Sequence, residues 1–340
     1  MPNNRGAETP IIDLVTGATS GIGRLLVELL LKEGHEVRVL LRQSPATSDE
    51  WTKLPPNVEL YVADLRSSDA SETRVIEEAC KDVDNIFHIA GATYNYSNTF
   101  DELIDANVVG TDNLLSACQT VNRPLQKNVH VIFASSCTVY GYRRPGETLT
   151  EESELKPASP YSESKEMAER VVESYAETDP KMHYTTLRFG TLYGLHYTNS
   201  FFKIFELIKA GKAMYIGTGG NHLTLIHEND AVRIMFLAAQ SPKALNRVYN
   251  ATDGQAYTVK SLFGFVADYF GVKPPSRHIS HTVAKIIRPI MGVKSDELEF
   301  VASDRIIRID RARTELGFAP KERMEKAGLE MLKEFDKTHK

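Results

Sequence analysis

The sequence predicts an α/β protein, a doubly wound parallel sheet followed by a smaller, mostly helical C-terminal region. Three observations carry this. Short apolar runs alternate with amphipathic helical stretches through the first half, a glycine-rich turn joins the first pair, and the regularity breaks from about residue 195. Strands that alternate with helices imply right-handed crossovers and a sheet covered on both faces.

Taken in order, IIDLVT (11–16) is the first strand, and GIGRLLVELLLKEG follows with apolar residues that suit a buried helix. Further strands are read at HEVRVLLR (35–42), VELYVADL (58–65), NIFHIAG (85–91), VHVIFASS (129–136) and HYTTLRFG (183–190). Helical patterns at 69–82, 101–121 and 161–178 separate or follow them. Beyond 195 the helical patterns lie near 200–211, 229–240, 258–270 and 280–291, with a short strand RVYNA and a closing helix at 321–337.

Composition narrows the function. The 340 residues are 42% hydrophobic and 25% charged, which is ordinary soluble globular composition. Net charge is −5 with both signs interspersed, so no basic stripe argues for nucleic acid. Three cysteines, Cys80, Cys118 and Cys137, form no CxxC pair, which reads as a reducing compartment without disulfides or structural zinc. The polar start MPNNRGAETP and the lack of any 18-residue apolar run predict neither signal peptide nor membrane span, hence a cytoplasmic protein. The ten histidines show no metal-ligand spacing, and no metal is expected.

VTGATSGIG (15–23) lies between the first strand and the first helix. Gly17 permits the tight turn, Gly21 lets a pyrophosphate approach the backbone, and Gly23 allows close helix packing. The helix N-terminus offers free N–H groups and a positive dipole end to phosphates, so Thr19, Ser20 and Ile22 join the glycines as a dinucleotide cradle. An acidic residue at the end of the second strand would bind the adenosine ribose and repel a 2′-phosphate. The chain has Leu41 and then Arg42 there, and an arginine fork matches phosphate oxygens. NADP is favoured over NAD.

In SPYSESKEMAER (159–170), Tyr161 and Lys165 stand four apart, on one face of a helix whose start Pro160 marks. A free phenol has a pKa near about 10, too high for ready exchange at neutral pH. A nearby ammonium stabilises the phenolate and makes the tyrosine a usable general acid/base. Ser136, at the end of the strand in FASSCTVYG, can hydrogen-bond a substrate carbonyl or alcohol.

TGATSGIG, ADL (63–65), HIAG (88–91), NVVGT (107–111), SSCTVYG and YSESK occur in one order and spacing. The chain closely resembles the short-chain dehydrogenase/reductase superfamily, in particular its extended branch with the NAD(P)-dependent epimerase/dehydratase fold. LRFGTLYG (187–194), IHENDAV (226–232) and LGFAP (316–320) extend the resemblance over almost the whole chain. One departure is the glycine spacing, TGxxxGxG as in the short members rather than TGxxGxxG. The resemblance implies a Rossmann domain over 1–194 that carries the catalytic residues and a substrate-binding region over 195–340, with a segment near 226–250 returning to the first domain.

Carried over by position, the resemblance makes Ser136 the residue that polarises the reacting oxygen, Tyr161 the proton carrier, and Lys165 the holder of the nicotinamide ribose. Asp64 and Leu65 would flank the adenine, and Ala90 with Gly91 would line the cofactor. Phe189, Gly190 and Thr191 would sit by the nicotinamide carboxamide, and Asn107 would hold structure or water near the site. Enzymes of this kind pair through the helices near 101–121 and 161–178, so a homodimer is implied.

Other residues read differently. Cys137 lacks a neighbouring base and is a small packed residue, and His88 on a buried strand is a satisfied core histidine. His227 and Glu228 precede Asp230 in a segment that flanks the substrate pocket in similar enzymes.

Similar dehydratases place an acidic residue after the catalytic serine or threonine, where this chain has Cys137 and Thr138. Similar epimerases grip the substrate diphosphate with arginines, and here Leu223 stands at one such position and ELEFVAS (297–303) offers none at another. An asparagine is replaced by Thr191, although Arg305 and Arg308 are close enough to compensate. GVKPPSRHISHTVAKIIRPIMG also looks like the pocket-covering segment of hydroxysteroid-dehydrogenase-like and dihydroflavonol-reductase-like members. The expectation is therefore an oxidoreductase exchanging a hydride between nicotinamide and a secondary alcohol or ketone, with a nucleotide-sugar epimerase that keeps its NAD as the alternative.

Overall fold

The structure is a computed structural model and describes residues 10–42, 54–93, 99–141, 146–287 and 302–339. The strands β1 (Ile12–Thr16), β2 (Glu36–Leu41), β3 (Glu59–Val62), β4 (Asn85–His88) and β5 (Val129–Ser136) alternate with α1 (Gly21–Lys32), α2 (Ala70–Cys80), α3 (Phe100–Ile104) and α4 (Gly110–Asn122). A short strand β6 (Thr148–Leu149), helix α5 (Pro160–Thr178) and strand β7 (Met182–Phe189) follow. The chain then makes β8 (Thr191–Tyr193), α6 (Thr198–Lys209), β9 (Tyr215–Ile216), β10 (His222–Leu223), β11 (Leu225–His227), α7 (Glu228–Gln240) and β12 (Arg247–Ala251). After these come β13 (Tyr257–Thr258), α8 (Val259–Phe270), β14 (His278–Ile279), α9 (His281–Ile287), β15 (Ile306–Ile307) and the helices Asp310–Leu316 and Met324–Thr338.

Among the described residues, seven strands form the main sheet in the order β12-β7-β5-β4-β1-β2-β3. Every pairing in it is parallel. The order reverses at β1, so its C-terminal end opens a crevice beside the end of β4. Central strands are buried end to end, as β4 is, because helices cover both faces. The edge strand β3 is mostly exposed instead.

One face packs α1 and α7 with the helix Asp310–Leu316, through residues such as Leu26, Leu30, Met235 and Leu316. The other packs α2, α4 and α5 through Ile76, Leu114, Leu115 and Val172. A separate cluster joins α6, α8 and the terminal helix through Phe205, Val266, Met331 and Phe335. The segment expected to return to the sheet supplies α7 and β12, and the helix Asp310–Leu316 returns as well.

Two local differences from expectation have physical causes. The helix read at 101–121 is interrupted by a π-helical turn at Asp105–Val109, a feature frequent at functional sites. The strands near 58–65 and 85–91 stop at Val62 and His88 because the chain must turn outward to the crevice. The end of the helix read at 280–291, and ELEFV of ELEFVAS, lie outside the described residues.

Candidate active site

The glycine turn is built by close approach. Gly17 has φ +74, and a Cβ there would lie 2.6 Å from Ala90 N; one on Gly23 would lie 2.2 Å from Gly17 O. Only hydrogen fits at either place. Ser20 caps α1 by accepting the Gly23 N–H at 3.1 Å. Gly21 is covered as well: a Cβ there would lie 2.5 Å from His196 Cβ and 2.8 Å from the Tyr197 ring.

Beneath the turn runs a directed chain of hydrogen bonds. Thr111 donates to Asn107 O at 2.6 Å, so its oxygen accepts from His88 Nε2 at 2.9 Å. The Nδ1 of His88 then accepts from the Thr16 hydroxyl at 2.7 Å, and Thr16 accepts the Ala90 N–H at 3.2 Å. Burial pushes the His88 pKa down to about 3, so the ring stays neutral. This is the satisfied core histidine the strand pattern suggested, and it ties β1 and β4 to the π-helical turn.

That turn aims Asn107 inward. Its Oδ1 accepts Ala92 N–H at 2.8 Å, while Nδ2 donates to Ala92 O at 3.1 Å and to Ser164 Oγ at 2.9 Å. The loop Ala90–Ala92 is thereby fixed to α5. A Cβ on Gly91 would meet Asn107 Oδ1 at 2.6 Å and stand 3.8 Å from Lys165 Nζ.

Helix α5 opens on a capping box from Ser159 to Ser162 with Pro160 in the first turn. Tyr161 is half-buried and its hydroxyl is within hydrogen-bonding reach of Ser136. Ser136 ends β5 and accepts from Thr138 N at 3.2 Å and Thr138 Oγ1 at 2.9 Å. Lys165 is 5% exposed and rests over the Phe133 ring at 4.6 Å. Its pKa falls to about 8, lowered by burial and supported by the Glu169 carboxylate. The Tyr161 phenol moves opposite to expectation: burial raises its pKa, and the Ser136 hydrogen bond only partly offsets this.

At the far end of the crevice Arg66 pairs with Asp64 through Nη2 at 2.6 Å and Nε at 3.0 Å. That hydrogen bonding, more than the charge of nearby Arg42, holds the Asp64 carboxyl below its usual range. Arg42 is exposed just past the end of β2, and Leu65 O is fixed by Asn113 Nδ2 at 2.7 Å. On the other side, β7 ends at Phe189, and Gly190 N–H donates to Ala251 O and Thr191 N–H to Thr224 O. Cys137 is buried, its thiol donates to Arg188 O at 3.1 Å, and burial pushes its pKa up to about 12. A thiol so held cannot serve as a base at neutral pH.

A small cavity of about 20 Å³ is lined by Thr138, Thr191, Leu223, Thr224 and Arg305, just beyond Ser136. Arg305 is 6% exposed and its Nε donates to Gly141 O at 3.2 Å. Sequence reading named Arg305 by proximity alone. It missed Arg66, Tyr197 and the anchoring role of Glu228, because each depends on a loop packing that no local period signals.

The glycine cradle, the capped helix end and the Gly91–Asn107–Lys165 contact together fit a dinucleotide. Fold and glycine turn are those of a dinucleotide-binding α/β protein. Residues 14–252 match the NAD dependent epimerase/dehydratase family, and the chain belongs to it.

Relatives include the uncharacterized protein YbjS of Escherichia coli (strain K12), 26% identical over 90% of this chain and 92% of that protein. A putative UDP-glucose 4-epimerase of Methanocaldococcus jannaschii is 25% identical over 84% of this chain and 90% of that protein. The uronate dehydrogenase of Pseudomonas syringae pv. tomato is 31% identical over 48% of this chain and 53% of that protein. Among solved structures, MoeE5 in complex with UDP-glucuronic acid and NAD superposes with TM-score 0.73 and 25% identity, covering 96% of this chain and 99% of that one. Among the described residues no helix is long and apolar enough to cross a membrane.

Proposed function

We propose that this protein is an NAD-dependent epimerase of nucleoside diphosphate sugars, which oxidises a sugar hydroxyl and reduces the ketone from its other face. This replaces the plain reductase that the missing arginines suggested. The observation that carries it is the match of residues 14–252 to the NAD dependent epimerase/dehydratase family. Arg305, buried and donating to Gly141 O, lines a small cavity with Thr138, Leu223 and Thr224 and places a positive charge near Leu223. The family match, the similarity to a putative UDP-glucose 4-epimerase and the UDP-sugar in MoeE5 support the same substrate class.

In this mechanism the Ser136 hydroxyl hydrogen-bonds the reacting oxygen and the Tyr161 phenolate takes its proton, then returns it. When bound, nicotinamide supplies the hydride acceptor and, oxidised, a positive ring that favours the phenolate. The Ser136 hydrogen bond acts against the burial that raises the phenol. Gly91, Lys165 and the glycine turn hold the nucleotide, and Thr138 and Cys137 supply no acid or base for dehydration.

The cofactor of this reading is NAD, as the family and MoeE5 support. Arg42 leaves room for NADP, since no carboxylate ends β2. The family resemblance also carries a two-fold dimer through α4 and α5, and the exposed apolar Phe100, Val109 and Met167 on this helical layer support it. Sedimentation showing only monomer at micromolar concentration contradicts the dimer.

The test of function is a panel of nucleoside diphosphate sugars with net nicotinamide reduction followed in parallel. Inversion of one of them without net reduction supports the epimerase. A specific observation favours the second reading, a uronate or sugar dehydrogenase: Leu223 and Thr191 replace polar residues of similar epimerases, and the uronate dehydrogenase matches half the chain. Stoichiometric conversion of free cofactor would select it.

A further inference from the structure

Tyr197 and His196, which the proposed mechanism does not use, meet the glycine turn. The Tyr197 hydroxyl accepts the Ile22 N–H at 3.1 Å, across a sequence separation of 175 residues. It also lies within hydrogen-bonding reach of the Ser20 side chain. The Tyr197 ring and His196 Cβ cover Gly21, the glycine against which a pyrophosphate packs. The phenol therefore occupies the same donor that a phosphate oxygen takes at such a helix end.

The loop carrying this phenol is clamped. Glu228, the first residue of α7 and 5% exposed, accepts Leu195 N–H and His196 N–H, each at 3.1 Å, and lies 3.1 Å from His196 Nδ1. Gly194 adopts φ +142, and a Cβ on it would fall 2.4 Å from Glu228 Cδ, so this position must be glycine for the carboxylate to reach the loop. Helix α7 packs against α1 in the same core, which places clamp and turn on one rigid layer.

We propose that Gly194–Tyr197 is a clasp over the cofactor pyrophosphate and that Tyr197 is a cofactor-binding residue anchored by Glu228. On binding, the phenol yields the Ile22 N–H to a phosphate oxygen and donates its own O–H to the pyrophosphate. Nucleotide then leaves only when the clasp opens. This inference rests on the NAD-dependent reading, since an enzyme that returns its hydride must retain the nucleotide between half-reactions.

The test measures dissociation of NAD from the full-length protein, by displacement with excess ADP-ribose, for the parent, Tyr197→Phe and Glu228→Gln. Loss of a hydrogen bond to a charged partner predicts dissociation about tenfold or more faster in Tyr197→Phe. Glu228→Gln keeps one acceptor oxygen and should fall between the two. Adenosine, which has no phosphate, should bind all three equally. Unchanged dissociation in a Tyr197→Phe protein with parental thermal stability without nucleotide overturns the proposal. Faster association with unchanged dissociation also overturns it, because the phenol would then only compete for the phosphate site. The readout uses added NAD and no sugar, so failure to invert any nucleotide sugar would defeat the function and leave this comparison intact.

Discussion

Glu169 Oε2 lies 2.7 Å from Arg188 Nη2, with the two side chains only 3% and 5% exposed. The pair bonds α5 to β7 beside the end of β5 that carries Ser136. Glu169 also accepts from Ser135, the neighbour of Ser136, and Arg188 donates to Tyr140 at 3.0 Å. One helical turn before Glu169 stands Lys165. The scaffold of the site is therefore a buried ion pair and not only apolar packing.

Breaking such a pair strands a charge. Glu169→Ala should cost about 3–5 kcal/mol in unfolding free energy, whereas replacing both Glu169 and Arg188 by apolar residues of similar volume should recover much of the loss. Urea unfolding of the three proteins reads this. A single variant within about 1 kcal/mol of the parent would contradict a buried guanidinium that relies on Glu169 for its counter-charge.

Tyr161→Phe removes only the hydroxyl. Turnover should fall by a factor of about 100 or more, the usual range for acid/base catalysis, while nucleotide binding survives. Near-normal turnover would remove Tyr161 from the chemistry.

At the other end of the sheet His35 Nδ1 lies 2.6 Å from Asp13 Oδ2, and Asp13 is fully buried. The Asp13 hydrogen bond holds the His35 pKa above its ordinary 6.5, so folding favours the imidazolium. The stabilisation is complete below about 6.5 and is lost as pH rises through the raised value. As pH rises through that value, the urea midpoint of the parent should therefore fall relative to that of His35→Asn. A parent midpoint that rises relative to the variant's would show the sign to be wrong.

For cofactor choice, NAD should bind at least as well as NADP, and Arg42→Ala should weaken only the phosphorylated form. Fluorescence titration with both reduced cofactors checks it. A loss shared by both would place Arg42 elsewhere than at the ribose.

Much of this was legible beforehand because it is local. The glycine turn, the Tyr161–Lys165 spacing and the buried runs of β1, β4 and β5 each follow from a few consecutive residues. The direction of the Tyr161 pKa is not, since burial depends on the whole packed site and outweighs the Ser136 hydrogen bond. Nor was the filling of Gly21 by Tyr197, because a contact spanning 175 residues has no period in the sequence. Nor is the position of Arg305 beside Leu223 and Thr224, which comes from the pairing of its segment with His222 and Thr224.

The most direct measurement follows a deuterium placed on the sugar carbon that is inverted, with the protein supplied only with the nucleotide it retains. Transient oxidation and return through one enclosed cofactor predicts an inverted nucleotide sugar that keeps its deuterium, with no net reduced nicotinamide in solution. Deuterium accumulating in free reduced nicotinamide, in proportion to an oxidised sugar product, would contradict the epimerase and make the protein a dehydrogenase.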